Sequence, residues 1–328
     1  MGNTRLSMEM SKALIDVAVN AKADAVKFQL FNSKSLYVEE AGKAGYLSKR
    51  IKKESINEII RSIELPTEII KDISEYCSEK NIELMITPFS VDEAVIVNKY
   101  VKRHKLASAE ITHIRLIEYM ANTKKPVIIS TGGASIEEIE WTVNHFYRNS
   151  GKDIAIMHCL LDYPAKPDSL NLNIIKGLKE HFCLKVGLSD HSLSFESVPV
   201  AAVSLGARII EKHFTLSRKL PGPDNFYSLE PEELKKMVCL IRETEQILGK
   251  SIKTVQKNEF KLREFAQRSI QAITNIRKGE LFKEGVNIGI LRSGNKTKGI
   301  HPKFIADLEG KEARRNIRAG EGIMEEDK

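Results

Sequence analysis

Two histidines, His191 and His213, stand at the ends of successive apolar runs, residues 184–189 and 207–214, so their imidazoles can converge. Two imidazoles make a partial cation site. Structural zinc takes four protein ligands, whereas a catalytic Mn²⁺ or Mg²⁺ keeps positions open for water and substrate oxygens. Without further context the same pair also reads as two hydrogen-bonded structural residues. Lys27 lies inside the apolar run Ala23-Asp24-Ala25-Val26-Lys27-Phe28-Gln29, where an unpaired ammonium is costly. It needs an anion, either a bound phosphate or a neighbouring carboxylate. Lys105 repeats the pattern more weakly, and Thr87, Ser108, Ser130 and Ser189 would add short neutral donors around a phosphate. Pro221-Gly222-Pro223-Asp224 is a stiff turn that would hold Asp224 over such a site. Glu110 and Tyr163 are further candidates for substrate contact.

Residues of this kind need a frame that brings them together. Up to Gly249 the chain alternates short apolar runs with helix-period segments, the pattern of βα units around a parallel sheet. The strand candidates are seven: residues 23–30, 82–89, 106–108, 127–130, 154–159, 184–189 and 207–214. Helices are predicted at 9–21, 67–80 and 232–248, the last opened by Pro231 with Glu232 and Glu233 in its first turn. Residues 37–65 show no clean period and read as an excursion from the first βα loop. Nearly every strand candidate contains or runs into a residue capable of chemistry. That distribution predicts a (β/α)₈ barrel of the TIM type with its site at the carboxyl rim, since an open sheet concentrates such groups at one or two switch points.

From Phe260 short β-like runs at 269–274, 286–291 and 313–317 are punctuated by glycine. Asn275-Ile276-Arg277-Lys278-Gly279-Glu280 is echoed by Asn316-Ile317-Arg318-Ala319-Gly320-Glu321, which predicts two similar β arms with glycine supplying the positive φ. The domains expected are therefore 1–249, a polar linker at 250–259, and 260–328. Net charge is +7, and residues 251–328 hold 17 Lys and Arg against 11 Asp and Glu. A basic segment can face nucleic acid, a membrane surface or an anionic small substrate. No single-strand stacking platform or helix-turn-helix pattern accompanies it, so nucleic acid is the weakest of these. The 328 residues, 42% hydrophobic, can bury a large core. Four scattered cysteines without a C-x-x-C pair disfavour a zinc ribbon or disulfide framework and fit a reducing cytoplasm. With no run of about 18 apolar residues and no secretion signal, a soluble cytoplasmic protein is expected, and Leu6 argues against an acylated Gly2.

In chain order the sequence carries Asp24-Ala25-Val26-Lys27-Phe28-Gln29, Thr87-Pro88-Phe89, Ser130-Thr131-Gly132, His158-Cys159 with Tyr163-Pro164, Ser189-Asp190-His191, Glu211-Lys212-His213-Phe214-Thr215 and Pro221-Gly222-Pro223-Asp224. This series resembles the sialic acid synthase family, which includes the N-acetylneuraminate, legionaminate, pseudaminate and spore-coat polysaccharide synthases. The C-terminal part resembles its antifreeze-like, or SAF, domain. The resemblance covers nearly the whole chain. It implies metal-dependent condensation of phosphoenolpyruvate with an N-acetylated hexosamine and water, giving a nonulosonic acid and phosphate. Under it Glu110, His191 and His213 are the catalytic residues, and His191 and His213 bind Mn²⁺ or Mg²⁺. Lys27, Thr87, Lys105, Ser108, Ser130 and Ser189 match phosphoenolpyruvate contacts, while Gln29, Glu110, Tyr163 and Asp224 match sugar-side positions. The resemblance also implies a domain-swapped homodimer in which the SAF domain of one subunit caps its partner's barrel. Arg292 and Phe265 are the matches for its arginine and aromatic.

Departures from the family pattern fall mainly around the sugar. Ser-Gly-Glu reads Ser108-Ala109-Glu110, Arg-Pro-Gly-Asn-Gly reads Arg292-Ser293-Gly294-Asn295-Lys296, and an asparagine before the tyrosine is Leu161. The family's opening strand, with its glutamate and following Asn-His-x-Gly turn, has no counterpart, so the barrel is expected to lack its first strand and to leave two edges unpaired. Met1-Gly2 reads as the tail of such a turn, which predicts in-frame coding sequence upstream; a stop codon directly before Met1 excludes it. Two alternatives stay open. One is a truncated, non-catalytic paralogue that binds sugars or anions. The other is a different phosphoenolpyruvate-dependent aldol synthase on the same barrel, a group that lacks the SAF tail.

Overall fold

The computed structural model describes residues 7–42 and 55–328, and the chain divides into two units, Met1–Gly249 and Lys250–Lys328. Met1-Gly2 and the middle of the excursion expected at 37–65 lie outside the described residues. The far end of that excursion carries a helix, Ile56–Ser62, capped by Ser55.

Among the described residues seven parallel strands build the first unit: β1 Ala25–Leu30, β2 Glu83–Pro88, β3 His104–Leu106, β4 Val127–Ser130, β5 Ile154–Cys159, β6 Lys185–Asp190 and β7 Ile210–Lys212. They form a two-stranded ladder, β1-β2, and a five-stranded one, β3-β4-β5-β6-β7. Arg103 spans the junction, its guanidinium bonded to both oxygens of Glu83 at 2.7 and 3.0 Å. Helices alternate with the strands: α1 Met8–Asn20 precedes β1, α2 Ser197–Ser204 follows β6 and α3 Pro231–Leu248 follows β7. Local chemistry sets their ends. Ser7 caps α1, and Glu230 and Glu233 cap α3 reciprocally around Pro231 at its first position.

Because strand side chains alternate between faces, each strand feeds two environments. Val127 and Ile129, Ile154 and Ile156, and Val186 and Leu188 pack outward into one large apolar cluster with the helices. Leu84, Ile86, Val26 and Phe28 do the same with α1 and α3 in a second. The opposite faces send Met85, Ile128, Ala155 and Met157, with Ala25 and Ile209, into one small shared cluster. Side chains from β1, β2, β4 and β5 and from the approach to β7 can meet only if the sheet curls, which makes this the plug of a barrel. Among the described residues β1 pairs only with β2 and β7 only with β6. Between those two edges lies a cavity of about 340 Å³, lined by Lys27, Glu211 and His213 and by apolar side chains of α1 and α3 such as Ala18 and Val238.

In the second unit β8 Arg268–Ala272 pairs antiparallel with β9 Ile288–Arg292. The two hexamers are related as the echo predicts. Ile276 and Ile317 exchange both backbone bonds, at 2.8 and 2.9 Å. The Asn316 side chain accepts from the Lys278 N–H and Asn275 from the Ala319 N–H, each at 2.9 Å, with Gly279 and Gly320 at φ +85° and +81°. Residues 313–317 do not form the expected strand. They make isolated bridges, because each arm is held by turn bonds rather than by a ladder. A short helix, Phe260–Ala266, precedes β8. Among the described residues no helix is long and apolar enough to cross a membrane.

Candidate active site

One step further along each inward-facing column, the apolar plug gives way to polar groups. Lys27 and Gln29 follow Ala25, Thr87 follows Met85, Ser130 follows Ile128, Cys159 follows Met157, and Glu211 and His213 follow Ile209. Lys105 joins them because its register partner is the inward Ile128. The strand carboxyl ends therefore build a polar layer on an apolar floor.

Lys105 is buried, and its ammonium donates to Ser130 Oγ at 2.6 Å and to the Leu106 carbonyl at 2.9 Å. Burial brings its pKa down to about 8, against the pull of Glu211 and with the push of Lys27. Lys27 bonds the Glu211 carboxylate at 3.0 Å, and Ser189 donates to the same oxygen at 3.1 Å. Of the two anions open to Lys27 in the sequence, the structure pairs it with the carboxylate, inside the site. Burial opposes ionisation of Glu211, but Lys105 and Lys27 overcome it and hold the group down at about 2. Thr87 Oγ1 is buried without a hydrogen-bond partner among the described residues. Ser108 lies in a short 3₁₀ turn, not in a strand, and its hydroxyl accepts the Gly132 N–H at 3.0 Å. Glu110 ends that turn half-buried, and burial raises its pKa.

The imidazoles of His191 and His213 face each other with ring centroids 5.4 Å apart and planes at 68°. His191 Nδ1 donates to the Leu160 carbonyl at 2.6 Å; that bond sets the tautomer and leaves Nε2 as a lone-pair donor. Burial opposes the imidazolium of His191, but Cys159, with Sγ 3.9 Å from Nδ1, and the Leu160 carbonyl outweigh it and raise its pKa. His213 Nδ1 is buried with no hydrogen bond among the described residues, and Asp224 Oδ2 is 3.8 Å away. Burial, with the cations of Lys27 and Lys212 nearby, holds His213 well below its ordinary pKa and thus neutral. Two neutral-capable imidazoles, one with an orphaned buried nitrogen, suit a divalent cation. Among the described residues no group of three or more His, Cys, Asp or Glu could hold a metal ion.

Aromatic rings wall this corner. Tyr163 lies over His191 at 4.3 Å, and Tyr227 touches His213 at 5.2 Å and Tyr163 at 5.5 Å. The structure thus gathers Lys27, Thr87, Lys105, Ser108, Ser130, Ser189, Tyr163, His191, His213 and Asp224 around one rim, with Gln29 beside Thr87 in register. Phe265 and Arg292 lie in the second unit, both exposed, with Phe265 against Gly294 in the loop after Arg292. Sequence reasoning missed Glu211 and Tyr227. Glu211 was within reach, since a charged residue two positions before His213 must share its face; Tyr227 sits in a 3₁₀ turn with no periodic signal.

An inward-facing carboxyl rim on a parallel barrel, charged by two lysines and a carboxylate and closed by two imidazoles, is where barrel enzymes carry their active sites. Residues 14–253 match the NeuB family and residues 267–327 the SAF domain. The spore coat polysaccharide biosynthesis protein SpsE of Bacillus subtilis is 39% identical over 336 residues, covering 98% of this chain and 89% of its own length. The N,N'-diacetyllegionaminic acid synthase of Campylobacter jejuni is 36% identical over 97% of this chain and 95% of its own length. Among solved structures, an N-acetylneuraminic acid synthetase from Leptospira borgpetersenii, in complex with citrate, superposes with a TM-score of 0.70 at 32% identity. That likeness covers 78% of this chain and 85% of the other. The chain belongs to the NeuB family of sialic-type acid synthases, and it is an enzyme of that kind.

Proposed function

We propose that this protein condenses phosphoenolpyruvate with an N-acetylated hexosamine and water to give a nonulosonic acid and phosphate. The observation that carries this reading is the juxtaposition of the Lys105–Ser130 and Lys27–Glu211–Ser189 contacts with the paired imidazoles at one rim. Lys105, Ser130, Ser108, Ser189 and the partnerless Thr87 hydroxyl supply charged and neutral donors for a phosphate. Lys27, held by Glu211, adds a second cation beside them. His191 and His213 would hold Mn²⁺ or Mg²⁺, which supplies Lewis-acid polarisation of the sugar's aldehyde oxygen. Glu110, Gln29, Tyr163 and Asp224 are assigned to the sugar, with Asp224 also steadying His213. Carbon three of phosphoenolpyruvate bonds to the aldehyde carbon, water adds at carbon two, and the C–O bond to phosphate breaks as the keto acid forms. The anionic leaving group departs toward Lys105 and its neighbouring hydroxyls.

The SAF match favours this over an aldol synthase without that domain. The dimer in which Arg292 and Phe265 of one subunit reach a partner's barrel, and the cytoplasmic location, belong to the same proposal. Incubation with phosphoenolpyruvate, Mn²⁺ and a panel of N-acetylated hexosamines tests it. Sugar-dependent phosphate release is expected with at least one member, and none with any member overturns the reading.

A further inference from the structure

The outer face of the two histidine-bearing strands carries a separate pairing. Asp190 and Lys212 are register partners across β6 and β7, and each immediately precedes one of the histidines. Alternation turns their side chains away from the face of Ser189 and Glu211, into the row continued from Val186 and Leu188. Both side chains are buried, 0% exposed for Asp190 and 2% for Lys212. Lys212 Nζ bonds Asp190 Oδ2 at 2.6 Å and donates to the carbonyls of Ser192 at 2.5 Å and Ser194 at 3.0 Å. Asp190 Oδ1 accepts the Ser192 N–H at 2.8 Å. One ion pair therefore ties together β6, β7 and the loop that leaves β6 through His191.

For stability alone, apolar side chains would serve this buried row at least as well, because removing two charges from water offsets their attraction. What an ion pair adds is direction: short bonds from the Asp190 and Lys212 side chains to named backbone atoms just after His191. We propose that Asp190 and Lys212 are positioning residues that set His191 against His213 for cation binding. The inference rests on the proposed cation role of those histidines. Lys212 holds the backbone on the far side of His191 by two carbonyls, and its own strand delivers His213 one residue later. The imidazole separation is thus governed from behind the sheet, by groups that touch neither cation nor substrate.

Calorimetric titration of Mn²⁺, without sugar or phosphoenolpyruvate, tests the clamp. Wild type is expected to bind and His213→Ala to lose binding; if wild type does not bind, or His213→Ala binds equally, the cation role falls and the clamp's role with it. Given that control, Lys212→Met is expected to weaken Mn²⁺ about 10- to 100-fold, the usual effect of losing an outer partner of a metal ligand. Phosphoenolpyruvate affinity, read separately, should stay within about twofold, because the Lys105 pocket lies on the inner face. A folded Lys212→Met that binds Mn²⁺ like wild type overturns the clamp alone. Should that variant not fold, because Asp190 is left charged and unpaired, Asp190→Asn combined with Lys212→Met removes both charges and is read the same way. Asp190→Asn alone, which keeps the shape of the side chain, gives the same readout in the mildest background.

Discussion

Lys105 and Glu211 share one pocket, and both have depressed pKa values, but they act on stability in separate pH windows. The Lys105 ammonium, brought down to about 8 from its ordinary 10.5, loses its proton first in the native state. Its contribution to folding therefore rises with pH between those values, while its hold on a phosphate weakens. Above about pH 8 the affinity for phosphoenolpyruvate is expected to fall, approaching about tenfold per pH unit; a KM unchanged to pH 9.5 contradicts the assignment. Glu211, depressed from 4.5 to about 2, contributes stability that is present above its ordinary value and lost as pH falls through about 2. It stays ionised over the working range and cannot produce the acid limb of a rate profile. His213→Ala is expected to abolish metal-dependent turnover while leaving far-UV dichroism and melting behaviour intact. Unchanged kinetics in that variant count against the imidazole pair as the cation site.

Among the elements, the approach of β7 to β6 matters most for the site, because these two strands deliver Ser189, Glu211 and both histidines. Gly187 permits that approach. A Cβ there would lie 2.4 Å from the Ile209 carbonyl oxygen and 2.8 Å from the Ile209 Cβ, so β7 must move to admit it. Gly187→Ala is expected to cost about 2–4 kcal/mol in urea denaturation and to weaken Mn²⁺ binding along with it. A variant with wild-type stability would show that the strands can slide without consequence. In the second unit Gly299 has a similar part, since its Cβ would fall 1.9 Å from the Ile270 carbonyl oxygen. Gly299→Ala should lower a melting transition of that unit and leave the Mn²⁺ affinity of the barrel unchanged.

For the molecule as a whole, the proposed exchange of SAF domains between subunits has a distinctive consequence. His213→Ala damages a barrel and Arg292→Ala damages a cap, so a mixed dimer holds one site in which both parts are intact. In a C₂ dimer, random mixing of equal amounts of the two inactive variants should restore about a quarter of wild-type activity. A mixture as inactive as its components places Arg292 over its own barrel or outside the reaction. The basic balance of the last quarter of the chain, 17 Lys and Arg against 11 Asp and Glu, would then surround anionic ligands rather than bulk solvent.

The sequence by itself determined the architecture and set most of the candidate site residues at strand ends. Strand-helix alternation and functional groups at strand ends are local signals, written every 20 to 40 residues or so, and a barrel rim is the only frame that gathers them all. The count of seven strands and the paired arms around Gly279 and Gly320 were legible for the same reason. Tertiary structure alone decided who pairs with whom. The carboxylate that neutralises Lys27 is 184 residues away, and no spacing rule predicts a contact across a closing sheet. Strand register shows that Asp190 and Lys212 face each other behind the histidines, and ring packing shows that Tyr227 walls the imidazoles. Such pairings follow from how far the sheet curls and where the plug of Met85, Ile128 and Met157 sits. Those are packing quantities, summed over many side chains, and no short stretch of sequence contains them.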